Sequence, residues 1–253
     1  MNEVLIVRSA IAPMCAEPRA GSEQVSQTLA GHRLTPLEER EQWVCARSMD
    51  GYQGWVHRGY LGAVGEREAE KRFATGRVSL GCVVTELDGR RRALPLGAVL
   101  ADDAYVETGV AFAPVEMAGR FPRTPLGIAH AALQFFEGTP YQWGGLTPWG
   151  ADCSGMVQAT LGLHGIRMPR DARLQAEHGE LVDGGLAALR AADLLYFSDR
   201  PDGRITHVAM ALDERRIVHL AIGRGGYAVE RLDDVDDPYV RGLVERFRFA
   251  KRL

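Results

Sequence analysis

The sequence predicts an α+β chain in which two small all-β barrels precede a domain of helices packed on an antiparallel sheet. Three observations predict it. Residues up to about 113 break into short β-type runs cut by Gly, Pro and charged turns. The connector "APVEMAGRFPRTP", 113–125, ends that grammar and opens a helical one. After Ala192 the chain turns to strands again, and helices followed by a strand run indicate an α+β domain.

The first barrel is read over 1–63, from "VLIV", "QVSQTLAG", "HRLTPLEE", "EQWVCARS" and "YQGWVH". Glu66–Phe73 is a short, charged, helix-like link. A second barrel-like region spans about 74–113, from "RVSLGCVVTEL", "RRALPLGAVL" and "AYVETGVAF", with Asp88-Gly89 as a turn signal. It is short for a barrel and is expected to lean on its neighbours. In the third domain, 125–253, Thr124 is an N-cap and Pro125 the first helical residue. Leu126, Ala129, Leu133 and Phe136 fall on one face, and Gly138 closes the helix. A second helix runs from Cys153 to about His164, and a third covers Asp171–Glu177. The strands are "DLLYFS", "RITHVAMAL", "RRIVHLAI", "YAVERL" and "VERFRF".

A net charge of −3 gives nothing to draw the chain to nucleic acid or an anionic membrane surface. No apolar run approaches 18 residues, so no transmembrane helix is expected. The N-terminus lacks a basic n-region followed by a long apolar run, which reads as no secretory signal. Four cysteines are spread widely and none forms a C-x-x-C pair. Neither a zinc site nor a disulfide framework is expected, and no metal or organic cofactor is implied. Cys15, Cys45 and Cys82 read as buried small hydrophobes.

The stretch "YQWGGLTPWGADCSGMVQATLGL", Tyr141–Leu163, crowds three aromatics and three glycines ahead of one cysteine. Asp152 is a good N-cap, so Cys153 falls in the first helical turn. Unpaired N–H groups and the positive end of the helix dipole favour a thiolate there and could hold an oxyanion. Taken alone, a plain capped helix with a buried cysteine begins the same way. The glycines are expected to let the backbone run close to a substrate. Trp143 reads equally as a groove-lining or a packing aromatic, and Trp149 as a packing one.

A nucleophilic cysteine needs a base. His207 lies in "ITHVAMAL" and His219 in "RIVHLAI", twelve residues apart with a turn between. An odd-length loop sets the two on one face of a hairpin, opposite or diagonal; an even loop separates them. In the first register His207 takes the cysteine proton and His219 orients the imidazole. A lone histidine in an apolar strand is as readily a core residue. Two of them downstream of a helix-start cysteine turn the balance toward chemistry. His32, His57, His130, His164 and His178 show no such pattern and read as structural or surface.

"YQWGG", "ADCSGMVQ", "HVAMAL" and "RIVHLAIG" together resemble the NlpC/P60 family of papain-like cysteine peptidases, over about 125–253. The resemblance implies Cys153 as nucleophile, His207 as base, His219 as the orienting residue and Tyr141 as the active-site tyrosine. It also implies a murein-peptide substrate. "PRDARLQ", Pro169–Gln175, matches a family segment along the substrate groove, with Ala172 where members often carry a hydroxyl. "LAGHRLTPLEEREQWVCARSMDGYQGWVHRGYL" resembles a bacterial SH3-like (SH3b) domain, and 74–113 a degenerate second copy. This domain order resembles that of γ-D-glutamyl-L-diamino-acid endopeptidases, which cleave after L-Ala-γ-D-Glu and require a free N-terminal L-Ala. On that resemblance Asp152 and Ser154 face the substrate amine and Tyr52 is the SH3b contributor.

The resulting expectation is a cytoplasmic murein-peptide recycling peptidase that releases L-Ala-D-Glu, with diaminopimelate or lysine as the diamino acid. Two rivals stand beside it: an extracellular wall-remodelling hydrolase, and a non-catalytic wall- or ligand-binding module.

Overall fold

The computed structural model describes residues 3–253, which divide into two units, one up to Arg120 and one from Phe121 to Leu253. In the first unit seven strands, β1 (Glu3–Val7), β2 (Ile11–Cys15), β3 (Gln24–Leu29), β4 (Arg33–Arg40), β5 (Trp43–Arg47), β6 (Gln53–His57) and β7 (Leu61–Gly65), form one antiparallel sheet ordered β3-β2-β6-β5-β4-β1-β7. Leu5, Val7, Met14, Leu34, Val44, Val56 and Leu61 come from six of these strands into one buried cluster, so the strands wrap a single core. Two strands, β2 and β7, go beyond the sequence reading. Pro13 hides β2, because proline has no N–H for a ladder. The strand tolerates it because its pairing with β6 is confined to Cys15 opposite Trp55.

A short helix, α1 (Glu66–Arg72), matches the charged link. Then β8 (Val78–Thr85), β9 (Arg91–Val99) and β10 (Tyr105–Phe112) form a three-stranded sheet ordered β10-β8-β9, followed by α2 (Pro114–Arg120). Three strands enclose little on their own. Their core residues Cys82, Val84, Leu94, Ala98 and Leu100 join Leu29 and Ala30 of the preceding sheet in one cluster. Val99 N–H donates to Ala30 O at 2.8 Å, and His32 Nε2 meets Gly97 O at 3.0 Å. This region therefore shares its neighbour's core.

The second unit holds α3 (Pro125–Phe136), the two-residue strands β11 (Leu146–Thr147) and β12 (Gly150–Ala151), α4 (Cys153–Leu163), α5 (Ala172–Gln175), β13 (Glu180–Leu181), β14 (Leu194–Phe197), β15 (His207–Ala211), β16 (Arg216–Ala221), β17 (Gly226–Arg231), α6 (Pro238–Glu245) and β18 (Phe247–Arg252). Six strands form an antiparallel sheet ordered β13-β18-β14-β15-β16-β17. Thr124 Oγ1 accepts from Gly127 N–H and caps α3 as expected. The buried face of α3 is shifted from the expected one: Ala129 and Phe136 are buried as expected, but Leu126 is exposed and Leu133 only half-buried, and Ile128, Ala131 and Ala132 are buried instead. Small alanines win that face because they let α3 approach α4 closely.

One face of the sheet carries Leu195, Phe197, Ala209, Ala211 and Ile217 in a cluster with Leu243 of α6. The opposite side chains Val208, Met210, Val218 and Leu220 are also fully buried, and α4 packs against β15 and β16. Strands buried on both faces read as continuous apolar runs. A histidine inside such a run is therefore conspicuous. No helix among the described residues is long and apolar enough to cross a membrane.

Candidate active site

The hairpin of β15 and β16 settles the parity question. Met210 pairs with Val218 and Ala211 with Ile217, leaving an odd number of residues, 212–216, between the last paired positions. The same register carried back along the strands sets His207 and His219 diagonally on one face. Their rings meet there, with His207 Nε2 2.8 Å from His219 Nδ1. His219 is fully buried. His207, at the end of its strand, is partly exposed and packs against Phe197.

Asp152 caps α4 by accepting Gly155 N–H at Oδ1, 2.8 Å, which places Cys153 at the first helical position. Cys153 is 6 % exposed. Backbone N–H groups of Val208 and Ser154 are directed at it. The Val208 contact brings the sulfur to the start of β15, beside His207. Since His207 engages His219 through Nε2, Nδ1 is its nitrogen left for the thiol.

The electrostatics correct one expectation. The helix start does not make a resting thiolate. Burial, with the Asp152 charge beside it, pushes the Cys153 thiol up to about 12, outweighing the two N–H donors and Arg170. Burial, then the neighbouring His219 and Arg246, hold the His207 imidazole well below the ordinary histidine value. The resting pair is neutral thiol and neutral imidazole, so a proton must move as the sulfur attacks. A base with a depressed pKa stays unprotonated to lower pH. We therefore expect kcat/KM to hold as pH falls through 6.5 and to decline only well below it. A pH–rate profile with its acid limb at or above 6.5 would contradict that.

Two of the glycines serve close packing within the domain. A Cβ on Gly155 would lie 2.0 Å from Gly145 O, and one on Gly145 would lie 2.4 Å from Gly150 O. These residues let the loop pack on the helix start and on itself. Gly155→Ala is expected to cost about 1–3 kcal/mol or more, as overpacking against backbone does. Urea denaturation checks it, and a loss below about 0.5 kcal/mol would show that the loop can simply shift.

Asp152 is the hub of that loop. Its Oδ1 accepts from Ser154 Oγ, Gly155 N and Arg170 Nη1, and its Oδ2 from Gly144 N and Arg170 Nη2 at 2.6 Å. Arg170 is 2 % exposed. It also donates to Ser154 Oγ and Gly145 O. The polar atoms of Asp152 and Ser154 are thus engaged inside the domain, and the carboxylate's charge is balanced by a buried guanidinium. Gln175 Nε2 donates to Ser154 O and Pro169 O, so "PRDARLQ" buttresses the helix start.

Tyr141 joins the loop to β17, its N–H donating to Gly225 O at 3.0 Å. Burial first, then the nearby Cys153 and Asp152 charges, push its phenol upward, so it remains a hydroxyl donor beside the thiol. Trp143 is 57 % exposed and Trp149 49 % exposed, so Trp149 is not the packing aromatic expected of it. Tyr52 lies in the first unit, half-buried in the turn before β6, where its N–H donates to Asp50 Oδ1. Cys15 and Cys82 are buried and Cys45 partly so.

The sequence reading missed two residues of this site, Arg170's pairing and Glu230. Glu230 is 6 % exposed on β17, with Oε1 3.6 Å from His219 Nε2. A single carboxylate in "GYAVERL" was the available signal. Among the described residues no group of three or more His, Cys, Asp or Glu is placed to hold a metal ion.

Residues 138–240 match the model of the NlpC/P60 family, and residues 14–61 match the bacterial dipeptidyl-peptidase Sh3 domain. The chain is 25 % identical to a gamma-D-glutamyl-L-lysine dipeptidyl-peptidase of Bacillus subtilis, over 96 % of this chain and 88 % of that protein. It is 32 % identical to a Bacillus cereus protein of the same name, over 47 % of this chain and only 34 % of that one. The crystal structure of an NlpC/P60 family protein from Bacillus cereus superposes with a TM-score of 0.83 at 18 % identity, covering 99 % of both chains. That likeness shows the fold.

Proposed function

We propose that this chain, which carries an NlpC/P60 domain behind a bacterial dipeptidyl-peptidase Sh3 domain, is a cysteine peptidase that cuts the γ-D-Glu–diamino acid bond of murein peptides. The observation that carries the reading is Cys153 at a capped helix start, met by the backbone N–H of Val208 next to His207, whose ring is hydrogen-bonded to His219. Two relatives are named gamma-D-glutamyl-L-lysine dipeptidyl-peptidase, which supports the substrate class.

In this reading His207 Nδ1 takes the Cys153 proton as Sγ attacks the γ-carbonyl carbon of D-Glu. The developing oxyanion needs donors, and Tyr141, kept protonated, is one candidate beside the sulfur. The tetrahedral species collapses as His207 returns the proton to the leaving amine of the diamino acid. That leaves a thioester on Cys153. Water, deprotonated by His207, then attacks the thioester and releases L-Ala-D-Glu with the free thiol.

We assign the enzyme to turnover of soluble murein fragments in the cytoplasm, whose stem peptides expose a free L-Ala amine. Cleavage of L-Ala-γ-D-Glu-diaminopimelate beside its N-acetylated form tests this. The recycling reading expects only the free-amine peptide to be cut. Equal cleavage of both would keep the peptidase and favour a wall-remodelling role.

A further inference from the structure

The bond between His207 and His219 carries one proton, and its position decides whether His207 is a base. Across the 2.8 Å contact one nitrogen must be N–H and the other a lone pair. With the proton on His219 Nδ1, His207 Nε2 accepts, and neutral His207 must hold its own proton on Nδ1. The thiol then faces an N–H instead of a base. With the His219 proton on Nε2, His219 Nδ1 accepts from His207 Nε2–H, and His207 Nδ1 is left as a lone pair.

The surroundings of His219 Nε2 choose between these. That atom is buried and has no hydrogen-bond partner among the described residues. The group facing it is the Glu230 carboxylate, 3.6 Å away. The register explains the meeting: Ala228 is opposite His219 and Glu230 opposite Ile217, so Glu230 is diagonal to His219 on the same face. Arg224 grips Glu230 with a fork, at 2.6 and 3.1 Å. Arg224 also pairs with Asp237 and lies 4.3 Å over the Tyr239 ring, which packs against His219. Arg246 adds a positive charge near His207. Burial pushes the Glu230 carboxyl up, yet His219 and Arg224 outweigh it and hold the group below its ordinary value. An anion so placed favours a proton on the nitrogen facing it, because a lone pair there would meet a negative charge in a low dielectric.

We propose that Glu230 is a positioning residue that holds the His219 proton on Nε2 and thereby leaves His207 Nδ1 free to take the Cys153 proton. Glu230 itself stays ionised throughout. One proton moves, from Sγ to His207, and His219 accepts from the resulting imidazolium. Loss of the anion lets His219 turn its tautomer over and present His207 in the inactive form.

The proposal rests on the reading of Cys153, His207 and His219 as the reacting set, and its first readout needs no substrate. Long-range proton–nitrogen spectra of the 15N-labelled full chain, assigned by single histidine substitutions, report each ring's tautomer. Both His207 and His219 are expected as Nε2–H with unprotonated Nδ1. In Glu230→Gln, whose amide can donate or accept, the His219 Nδ1–H form should appear, and kcat on the murein peptide should fall roughly 10- to 100-fold with KM nearly unchanged. Wild-type His219 protonated on Nδ1 would overturn the proposal. So would a Glu230→Gln protein with unchanged tautomers and unchanged kcat. If that variant does not fold, the wild-type spectra decide alone. A wild-type protein that cuts no murein peptide contradicts the proposed substrate without altering what the spectra say.

Discussion

Replacing Arg170 with leucine is expected to destabilise the protein by about 3–5 kcal/mol, because it leaves a buried carboxylate without its counter-charge. Arg170 and Asp152 are both nearly excluded from solvent, and the guanidinium supplies both Oδ1 and Oδ2 with a donor. Without it Asp152 keeps Ser154 Oγ and two backbone N–H groups, and Gly145 O loses a donor as well. Lysine preserves the charge but cannot span two carboxylate oxygens and a carbonyl in one fork, so Arg170→Lys should recover only part of the loss. Activity should fall with stability, since the same carboxylate caps the helix that starts at Cys153. Urea denaturation with an unchanged m-value measures the effect. A loss below 1 kcal/mol would mean that water or a rearranged loop replaces the guanidinium.

The second large effect is on chemistry. His207→Ala is expected to lower kcat by roughly 10⁴-fold or more, with a smaller change in KM. The reason is specific to this site. Burial holds the thiol protonated, up to about 12, so the sulfur cannot supply its own thiolate at neutral pH. A base that moves the proton during attack is then indispensable. His219→Asn should be milder than His219→Ala, because the asparagine oxygen can still accept from His207 Nε2–H. A His207→Ala protein within tenfold of wild type would show that a resting thiolate carries the reaction.

Much of this was legible in the chain because the deciding signals were local. Thr124-Pro125 and Asp152 sit at helix starts, and their caps form as the residue types require. The His207–His219 juxtaposition was legible as one of two registers, and the hairpin supplies the odd loop that makes it. The same kind of signal, Asp237-Pro238, marks α6, where only strands were expected; Asp237 Oδ1 accepts Tyr239 N–H there. What could not be read was non-local. Arg170 meets Asp152 across 18 residues of sequence, and nothing in "PRDARLQ" says that its arginine turns inward. The sulfur's protonation depends on burial that only tertiary packing creates, so helix-dipole reasoning favoured the wrong resting state. The glycines were recognised as a constraint, but that Gly145 and Gly155 abut the carbonyls of Gly150 and Gly145 was not legible.

The central claim is that Cys153, served by His207 and His219, is the nucleophile of a murein-peptide peptidase. Release of L-Ala-D-Glu from L-Ala-γ-D-Glu-diaminopimelate by wild type and by Cys153→Ala tests it most directly, with circular dichroism confirming that both are folded. The account predicts turnover by wild type and none by the variant. Cleavage by folded Cys153→Ala at a comparable rate would contradict it.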